Sequence, residues 1–348
     1  MNDIFNFSNN ILNWFHIYGR KKLPWVKNKN IYKIWISEIM LQQTQVKVVI
    51  PYFKKFIHKF PNIKKLSKSS LDEVLYIWSG LGFYKRAKNI YETSQIIKKK
   101  YNYQFPKNFN ELINFPGIGK STAGAILSLT YDYSFPILDG NVKRILKRFY
   151  NYKLKKYQLE KKLWKKINFL IPIHNCGKFN QALMDLGTLI CKIKNPICIQ
   201  CPLKIKCLFY KKKYYLKKIN LKKNKKKNIK KCWFILLKYK NFFYLKQQKQ
   251  NVWKNLYYFP MFFKKKKAII WIQKNKLKFK KIKHTKKFLH HFNHYSFFIH
   301  LISVSINIKK KIKETKNIWF NIFKPPEIGI PSPVKKIFSS ILEKNKKK

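Results

Sequence analysis

The chain has 348 residues, enough for two domains rather than one, because single hydrophobic cores stop growing near ~250–300 residues. A hydrophobic fraction of 46% and an aromatic fraction of 17% exclude a disordered polymer, and no apolar run reaches the ~18–20 residues of a membrane span. The net charge of +65 suits a polyanionic partner, with nucleic acid the first candidate.

Residues 1–210 read as helical. The opening MNDIFNFSNN carries Asp3 and lacks a basic segment followed by an apolar one, so no signal peptide is expected and the cytoplasm is the expected compartment. Ile34 through Val46 is apolar on several faces, the pattern of a buried helix. At about 100° per residue, Glu38 falls between Ile34 and Trp35 on that helix. Apolar neighbours disfavour an ionised carboxyl, so its pKa should rise, as a general acid requires. The plainer reading is a glutamate paired with one of the 78 cations. Further helical stretches surround Leu71–Trp78, Arg86–Lys98, Ser121–Leu129, Val142–Tyr150 and Phe179–Ile190.

Between two of these segments stands Phe115-Pro116-Gly117-Ile118-Gly119-Lys120-Ser121-Thr122. Gly117 and Gly119 permit φ > 0 and remove side chains, so backbone N–H groups can approach a phosphate. Ser121 and Thr122 suit the start of the next helix. The segment is either a tight helix–helix turn or a helix-hairpin-helix gripping DNA backbone without reading sequence. Asp139 follows in Pro136-Ile137-Leu138-Asp139-Gly140-Asn141-Val142-Lys143-Arg144, placed to cap a helix. The N–H donors and dipole of a helix start favour a carboxylate's charged form. One carboxylic acid and one carboxylate are what glycosidic cleavage through an oxocarbenium-like transition state needs.

Cys191, Cys198, Cys201 and Cys207 form C-x6-C-x2-C-x5-C, four thiols in a loop of 17 residues. Such a set encloses either a tetrahedral zinc or a cubane iron–sulfur cluster, and spacing alone leaves the choice open. Cys176 and Cys232 lie outside it and read as ordinary buried thiols.

Residues 211–231 hold twelve lysines and no acid, a self-repelling linker. A phosphate-binding tether is the alternative. Only four cations in the chain are arginine, and alanine occurs five times among abundant Lys, Asn, Ile, Phe and Tyr. Those five residues are spelled by A/T-rich codons, so compositional drift explains the excess lysine as readily as function does. Residues 232–348 change texture: Cys232–Leu237 and Phe242–Leu245 read as a strand pair, and Val304, Ile306 and Ile308 alternate within His294–Ile308. A helix begins at Ser332-Pro333, with Val334, Ile337, Phe338, Ile341 and Leu342 at helical spacing. The expected fold is therefore a mainly α N-terminal domain, 1–210, and a smaller α+β C-terminal domain, 232–348.

Glycine-rich hairpin, aspartate and four-cysteine loop, in that order, resemble the helix-hairpin-helix DNA glycosylases. Within them, SEIMLQQTQV (37–46), GLGFYKRAKN (80–89), STAGAILSL (121–129) and PILDGNVKR (136–144) are similar to the adenine DNA glycosylase (MutY) family. The resemblance runs from YGRKKLPW (18–25) to IWFNIFKPPEIGIPSPV (318–334), strongest over the first 207 residues. It implies one 4Fe–4S cluster on Cys191, Cys198, Cys201 and Cys207, and a Nudix-like lesion-recognition domain after it. The implied reaction removes adenine from double-stranded DNA at A:8-oxoguanine or A:G mispairs, performed by a nucleoid-associated cytoplasmic enzyme expected to be a monomer. By the same resemblance Glu38 protonates the base and Asp139 stabilises the sugar cation. Ser121 and Asn141 support the pocket, Trp25 walls it, and Gln43 enters the space the base leaves.

Endonuclease III-like enzymes carry a lysine amine where this chain has Ser121, and cut the strand through a Schiff base. Lys120 is turned about 100° away on a helix, so a glycosylase without efficient lyase activity is expected, with Lys143 left to react adventitiously. Two positions depart from the family: Phe83 replaces the first tyrosine of GLGYY, and Phe292-Asn293-His294 stands for FSH, with His290 and His291 offering neighbouring registers. A metal site on His284, His290, His291 and His294 is weighed against this and set aside, few acids being near. The C-terminal domain lacks the acidic core of active Nudix hydrolases. The competing functions are an oxidised-pyrimidine glycosylase/lyase, disfavoured by Ser121, and a catalytically degraded DNA-binding iron–sulfur protein, disfavoured by Glu38 and Asp139.

Overall fold

In chain order the helices of the first two hundred residues begin with α1 (Asn2–Tyr18), α2 (Pro24–Lys27), α3 (Ile31–Leu41), α4 (Val46–Lys59), α5 (Ile63–Ser67), α6 (Leu71–Trp78) and α7 (Lys85–Lys100). They continue with α8 (Phe109–Leu112), α9 (Lys120–Tyr131), α10 (Gly140–Phe149), α11 (Lys156–Leu170), α12 (Cys176–Leu189) and α13 (Leu208–Lys211). The computed structural model describes residues 2–27, 29–212, 228–247, 252–275, 277, 282–292, 295–309, 312 and 316–346. Its contacts divide it into two compact units, Met1–Lys68 with Asn89–Leu221, and Ser69–Lys88 with Lys222–Lys348. Most of the lysine-rich segment 211–231 lies outside the described residues.

Sequence dictates several helix starts directly. Asn30 and Asn62 accept N–H bonds at the starts of α3 and α5, and Ser70 with Glu73 forms a reciprocal capping box on α6. In the first unit α3, α9, α10 and α12 surround a core that includes Ile34, Trp35, Ile126, Leu127, Val142, Phe179 and Leu183, all buried. Asp132 closes α9 in a left-handed conformation and accepts the backbone N–H groups of Asn175 and Gly177, both at 2.8 Å, so the end of α9 organises the start of α12.

The apolar run expected to continue as helix through Val46 stops at Leu41. Gln43 takes a φ of +58° and Thr44 bonds back to Leu41, which breaks the run into α3 and α4. The physical reason is tertiary: the Gln42 amide donates to Gly117 O at 3.2 Å and Thr122 Oγ1 at 3.3 Å, anchoring the turn on the glycine-rich hairpin.

In the second unit the strands are β1 (Asn228–Tyr239), β2 (Phe242–Gln247), β3 (Tyr257–Tyr258), β4 (Met261–Phe262), β5 (Ile282–His291), β6 (Tyr295–Ser305) and β7 (Asn317–Asn321). Two helices accompany them, α14 (Lys265–Lys274) and α15 (Ser332–Lys346). The sheet runs β3-β2-β1-β6-β5, with β1 and β6 parallel, β4 on β1 and β7 on β2. Strand alternation sends Ile235, Leu237, Ile302 and Val304 toward Trp271 and Ile272 of α14. Phe243, Phe259 and Phe320 meet Phe338 of α15 at ring separations of 5.3, 5.4 and 4.8 Å. The expected strand pair is β1–β2. The alternation expected to reach Ile308 ends sooner: β6 stops at Ser305, Ile306 is still buried, and Ile308 is 79% exposed.

Candidate active site

Glu38 sits on the last full turn of α3, among the buried residues Ile34, Trp35, Ser37 and Ile39. Burial pushes its carboxyl up to about 7, and the negative charge of Asp139 pushes in the same direction. The carboxyl therefore retains a proton near neutrality while lying within electrostatic reach of Asp139.

Asp139 is held as a cap. Its Oδ1 accepts the N–H groups of Asn141 and Val142 at 2.9 and 2.8 Å, and its Oδ2 accepts the Asn141 side-chain amide at 3.0 Å. Asn141 is fixed in turn, because its Oδ1 accepts from the Arg144 guanidinium at 2.8 Å. Ser121 does not start α9, whose cap is Gly119 without a side-chain bond. Its hydroxyl instead accepts the N–H of Leu138 at 3.0 Å, next to Asp139. Ser121, Asp139 and Asn141 are thereby brought together on the approach to α10.

The hairpin links α8 to α9. Gly117 has φ +80°, and a Cβ there would meet the Asn89 amide at 2.5 Å, so both conformation and space require glycine. Nothing stands within 4 Å of a Cβ built at Gly119, the cap of α9. Gln43, exposed and left-handed, projects from the turn that Gln42 docks on this hairpin.

The four thiols Cys191, Cys198, Cys201 and Cys207 line one recess with Ile145, Leu186, Ile190 and Leu203 as apolar walls. Among the described residues no three His, Cys, Asp or Glu side chains are drawn to a single metal-holding point. Burial, then the neighbouring sulfurs, raise the thiol of Cys198, and burial raises Cys201 to about 12. Deprotonating four thiols in so apolar a recess would require a compensating cation, and four cysteine sulfurs are a donor set that zinc or an iron–sulfur cluster can use. The isolated Cys176 and Cys232 are buried, with thiols pushed up to about 12, as expected of inert cysteines.

Sequence reasoning missed the guanidinium forks that connect these parts. Arg144 donates to Cys191 O at 2.7 Å and Gly187 O at 2.7 Å while holding Asn141. Arg148 reaches the carbonyls of Lys192 and Ile193 at 2.7 and 3.1 Å and Cys191 Sγ at 3.3 Å. Asp185, fully buried, binds Arg20 through Nε, NH2 and the backbone N–H at 3.0, 2.6 and 2.7 Å. The available signal was scarcity: the chain has 74 lysines and only these three arginines plus Arg86.

Other expected residues lie elsewhere. Trp25 is buried and, with Ile34, lines a recess of about 630 Å³ whose walls include neither Glu38 nor Asp139. Lys143 pairs with Glu160 at 2.8 Å. Phe83 is exposed on a turn of the second unit, and Phe292 stacks on Tyr295 at 4.7 Å beside Trp253 and Phe297. Burial, reinforced by Lys336 and His291, lowers the His290 imidazole to about 4, and His291 Nδ1 stands 2.8 Å from Ser296 Oγ. Asn293 and His294 lie outside the described residues.

Residues 36–169 match the HhH-GPD superfamily of base excision DNA repair proteins, and residues 232–340 match the NUDIX domain. Among solved structures, a thermostable thymine-DNA glycosylase superposes with a TM-score of 0.56 at 27% identity, over 61% of this chain and 98% of that one. An endonuclease III bound to DNA superposes at 0.52 with 23% identity, over 61% of this chain and 97% of that one, a likeness of fold. The human adenine DNA glycosylase is 33% identical over 58% of this chain and 39% of its own length. That of Buchnera aphidicola from Schizaphis graminum is 52% identical over 96% of this chain and 98% of its own. At that identity over nearly the whole of both chains, this chain belongs to the adenine DNA glycosylase family of DNA repair enzymes.

Proposed function

We propose that the chain hydrolyses the N-glycosidic bond of adenine standing opposite 8-oxoguanine or guanine in duplex DNA. The observation that carries this reading is the unequal carboxyl pair: Glu38 raised to about 7 beside Asp139, which three N–H donors fix in place. Adenine is reachable only outside the stack, at a cost of a few kcal/mol of unstacking. Glu38 gives its proton to the imidazole ring, and the C–N electron pair leaves with the now neutral base. The sugar's positive charge develops against the Asp139 carboxylate. Glu38, left as a carboxylate, then takes a proton from the water that attacks the anomeric carbon.

Ser121 supplies a hydroxyl where a lyase needs an amine, so the abasic strand stays intact. Gln43 fills the vacated space, and Gly117, Gly119 and Lys143 serve the phosphate backbone, while Trp25 stays in a recess apart from the two carboxyls. Phe83, Phe292, Asn293 and His294 serve recognition of the partner base. Cys191, Cys198, Cys201 and Cys207 would hold a 4Fe–4S cluster, which when bound ties the loop into one geometry. The sequence domains 1–210 and 232–348, joined by 211–231 and with residues 69–88 grouped with the second, act as a monomer on nucleoid DNA in the cytoplasm.

The test is single-turnover adenine release from duplexes with A opposite 8-oxoguanine, G, C or T, read with and without alkali. Release should be fastest opposite 8-oxoguanine, then G, with strand breaks only after alkali. Equal release from all four duplexes, or breaks without alkali at the rate of base release, would overturn the reading.

A further inference from the structure

Segment 69–88 carries an aromatic side chain that its surroundings keep out of the core. Phe83 is 42% exposed and has a φ of +48°, a left-handed conformation costly for a bulky residue. The turn is over-determined from beneath. Trp78 Nε1 donates to Gly82 O at 2.9 Å, and the Arg86 guanidinium lies over both the Trp78 and Phe83 rings at 5.4 and 5.1 Å. Gly80 N–H donates to the Tyr84 hydroxyl at 3.2 Å.

The other half of the support comes from more than two hundred residues later. Ile330 N–H donates to the buried Ser79 Oγ at 3.2 Å, and the Tyr84 hydroxyl reaches Ile330 O at 3.5 Å. Lys335, on the first turn of α15, donates from Nζ to Ser79 O at 2.6 Å. Gly329 lies so close to α6 that a Cβ there would meet Leu75 Cβ at 2.6 Å. Its carbonyl accepts the N–H of Tyr257, fastening the strap to the sheet at 2.8 Å. The strap Gly329-Ile330-Pro331 and Lys335 thus grip the base of the turn.

We propose that Lys335 is a positioning residue: it holds the Ser79–Tyr84 turn so that Phe83 is presented to the base opposite the excised adenine, and so sets the preference for 8-oxoguanine over guanine. This rests on the reading above that Phe83 serves recognition of the partner base. A lysine in a chain saturated with lysine acquires a specific duty here because its ammonium ends on a backbone carbonyl in a half-buried setting.

Single-turnover adenine excision from A:8-oxoguanine and A:G duplexes tests the proposal in the full chain, for wild type, Lys335→Met, Lys335→Arg, Phe83→Ala and the double variant Phe83→Ala/Lys335→Met. Lys335→Met should narrow the preference on the order of three- to tenfold without slowing the A:G reaction, and Lys335→Arg should restore it. The double variant should be no worse than Phe83→Ala alone, as expected of residues acting in series. A wild-type preference in Lys335→Met, with a narrowed one in Phe83→Ala, overturns the positioning role and leaves the lesion reading standing. A wild-type preference in Phe83→Ala overturns the lesion reading itself. Equal slowing of both duplexes by Lys335→Met, unrescued by arginine, makes Lys335 a folding residue and ends the proposal.

Discussion

The surroundings of Asp139 and those of Phe292 are built from different chemistry. Around Asp139 the fixing bonds are directional: a capped carboxylate, an amide clamped from both sides, and guanidinium forks ending on Cys191, Gly187 and Asn141. Around Phe292 gather the rings of Trp253, His290, Tyr295 and Phe297, and no arginine occurs anywhere after Arg148. The contrast teaches where charge is structural. A guanidinium presents five donors in one fixed plane and can bridge three acceptors held apart, whereas an ammonium gathers three donors at one point on a flexible stem. Arg144 and Arg148 are used in that way, Arg20 holds the buried Asp185 and Arg86 stacks on rings, whereas lysine is spread over the whole chain. The +65 charge is therefore a poor guide to the site, and the arginines are a good one.

The comparison sharpens first at Glu38. A carboxyl at about 7 when folded, against an ordinary value of 4.5, binds its proton more tightly in the native state. The stability it contributes is fully present below pH ~4.5 and is lost as pH rises through 7, by up to ~3 kcal/mol. Glutamine is neutral throughout, so Glu38→Gln should match wild type near pH 4.5 and exceed it by ~3 kcal/mol at pH 8. Denaturant unfolding at the two pH values checks this; a constant difference would show that the Glu38 carboxyl does not hold its proton more tightly in the folded chain.

Arg144→Lys tests the directional side of the contrast. Losing the fork while keeping the charge should slow adenine release about 10- to 100-fold, the range found when groups supporting a site's ligands are replaced. Iron analysis of the same preparations should give about four irons per wild-type chain, and stoichiometric zinc would contradict the proposed cluster. An unchanged rate in Arg144→Lys would reduce Arg144 to a surface cation. The smallest effect is expected on the aromatic side. Phe83→Tyr combined with Asn293→Ser restores two hydroxyls, each worth about 0.5–1.5 kcal/mol. The 8-oxoguanine preference in single-turnover excision should widen roughly two- to tenfold. A ratio that stays fixed or falls would show that these two residues do not read the partner base.

Legibility in the sequence followed the range of the forces involved. The apolar setting of Glu38, the cap at Asp139 and the strands β1, β2 and β6 depend on near neighbours in the chain, and pattern alone reveals them. The break after Leu41 does not, because it depends on Gln42 docking 75 residues away on Gly117. Ser121 has the composition of a helix start, yet its hydroxyl is taken by Leu138. Strand β5 was hidden because lysines and histidines fill positions that would otherwise show alternation, and α14 opens on three lysines for the same compositional reason. The duties of Arg144, Arg148 and Lys335 are long-range throughout, and no local pattern separates them from the other cations.

Glu38 and Asp139 divide the labour of bond cleavage, and single-turnover adenine release by Glu38→Gln and Asp139→Asn measures that division directly. With A:8-oxoguanine duplex, each variant should release adenine at least ~10³-fold more slowly than wild type. Equilibrium binding of the same duplex should stay within a few-fold, since neither side chain belongs to the phosphate grip. Wild-type rates in both variants, or a loss of release matched by an equal loss of binding, would contradict the account.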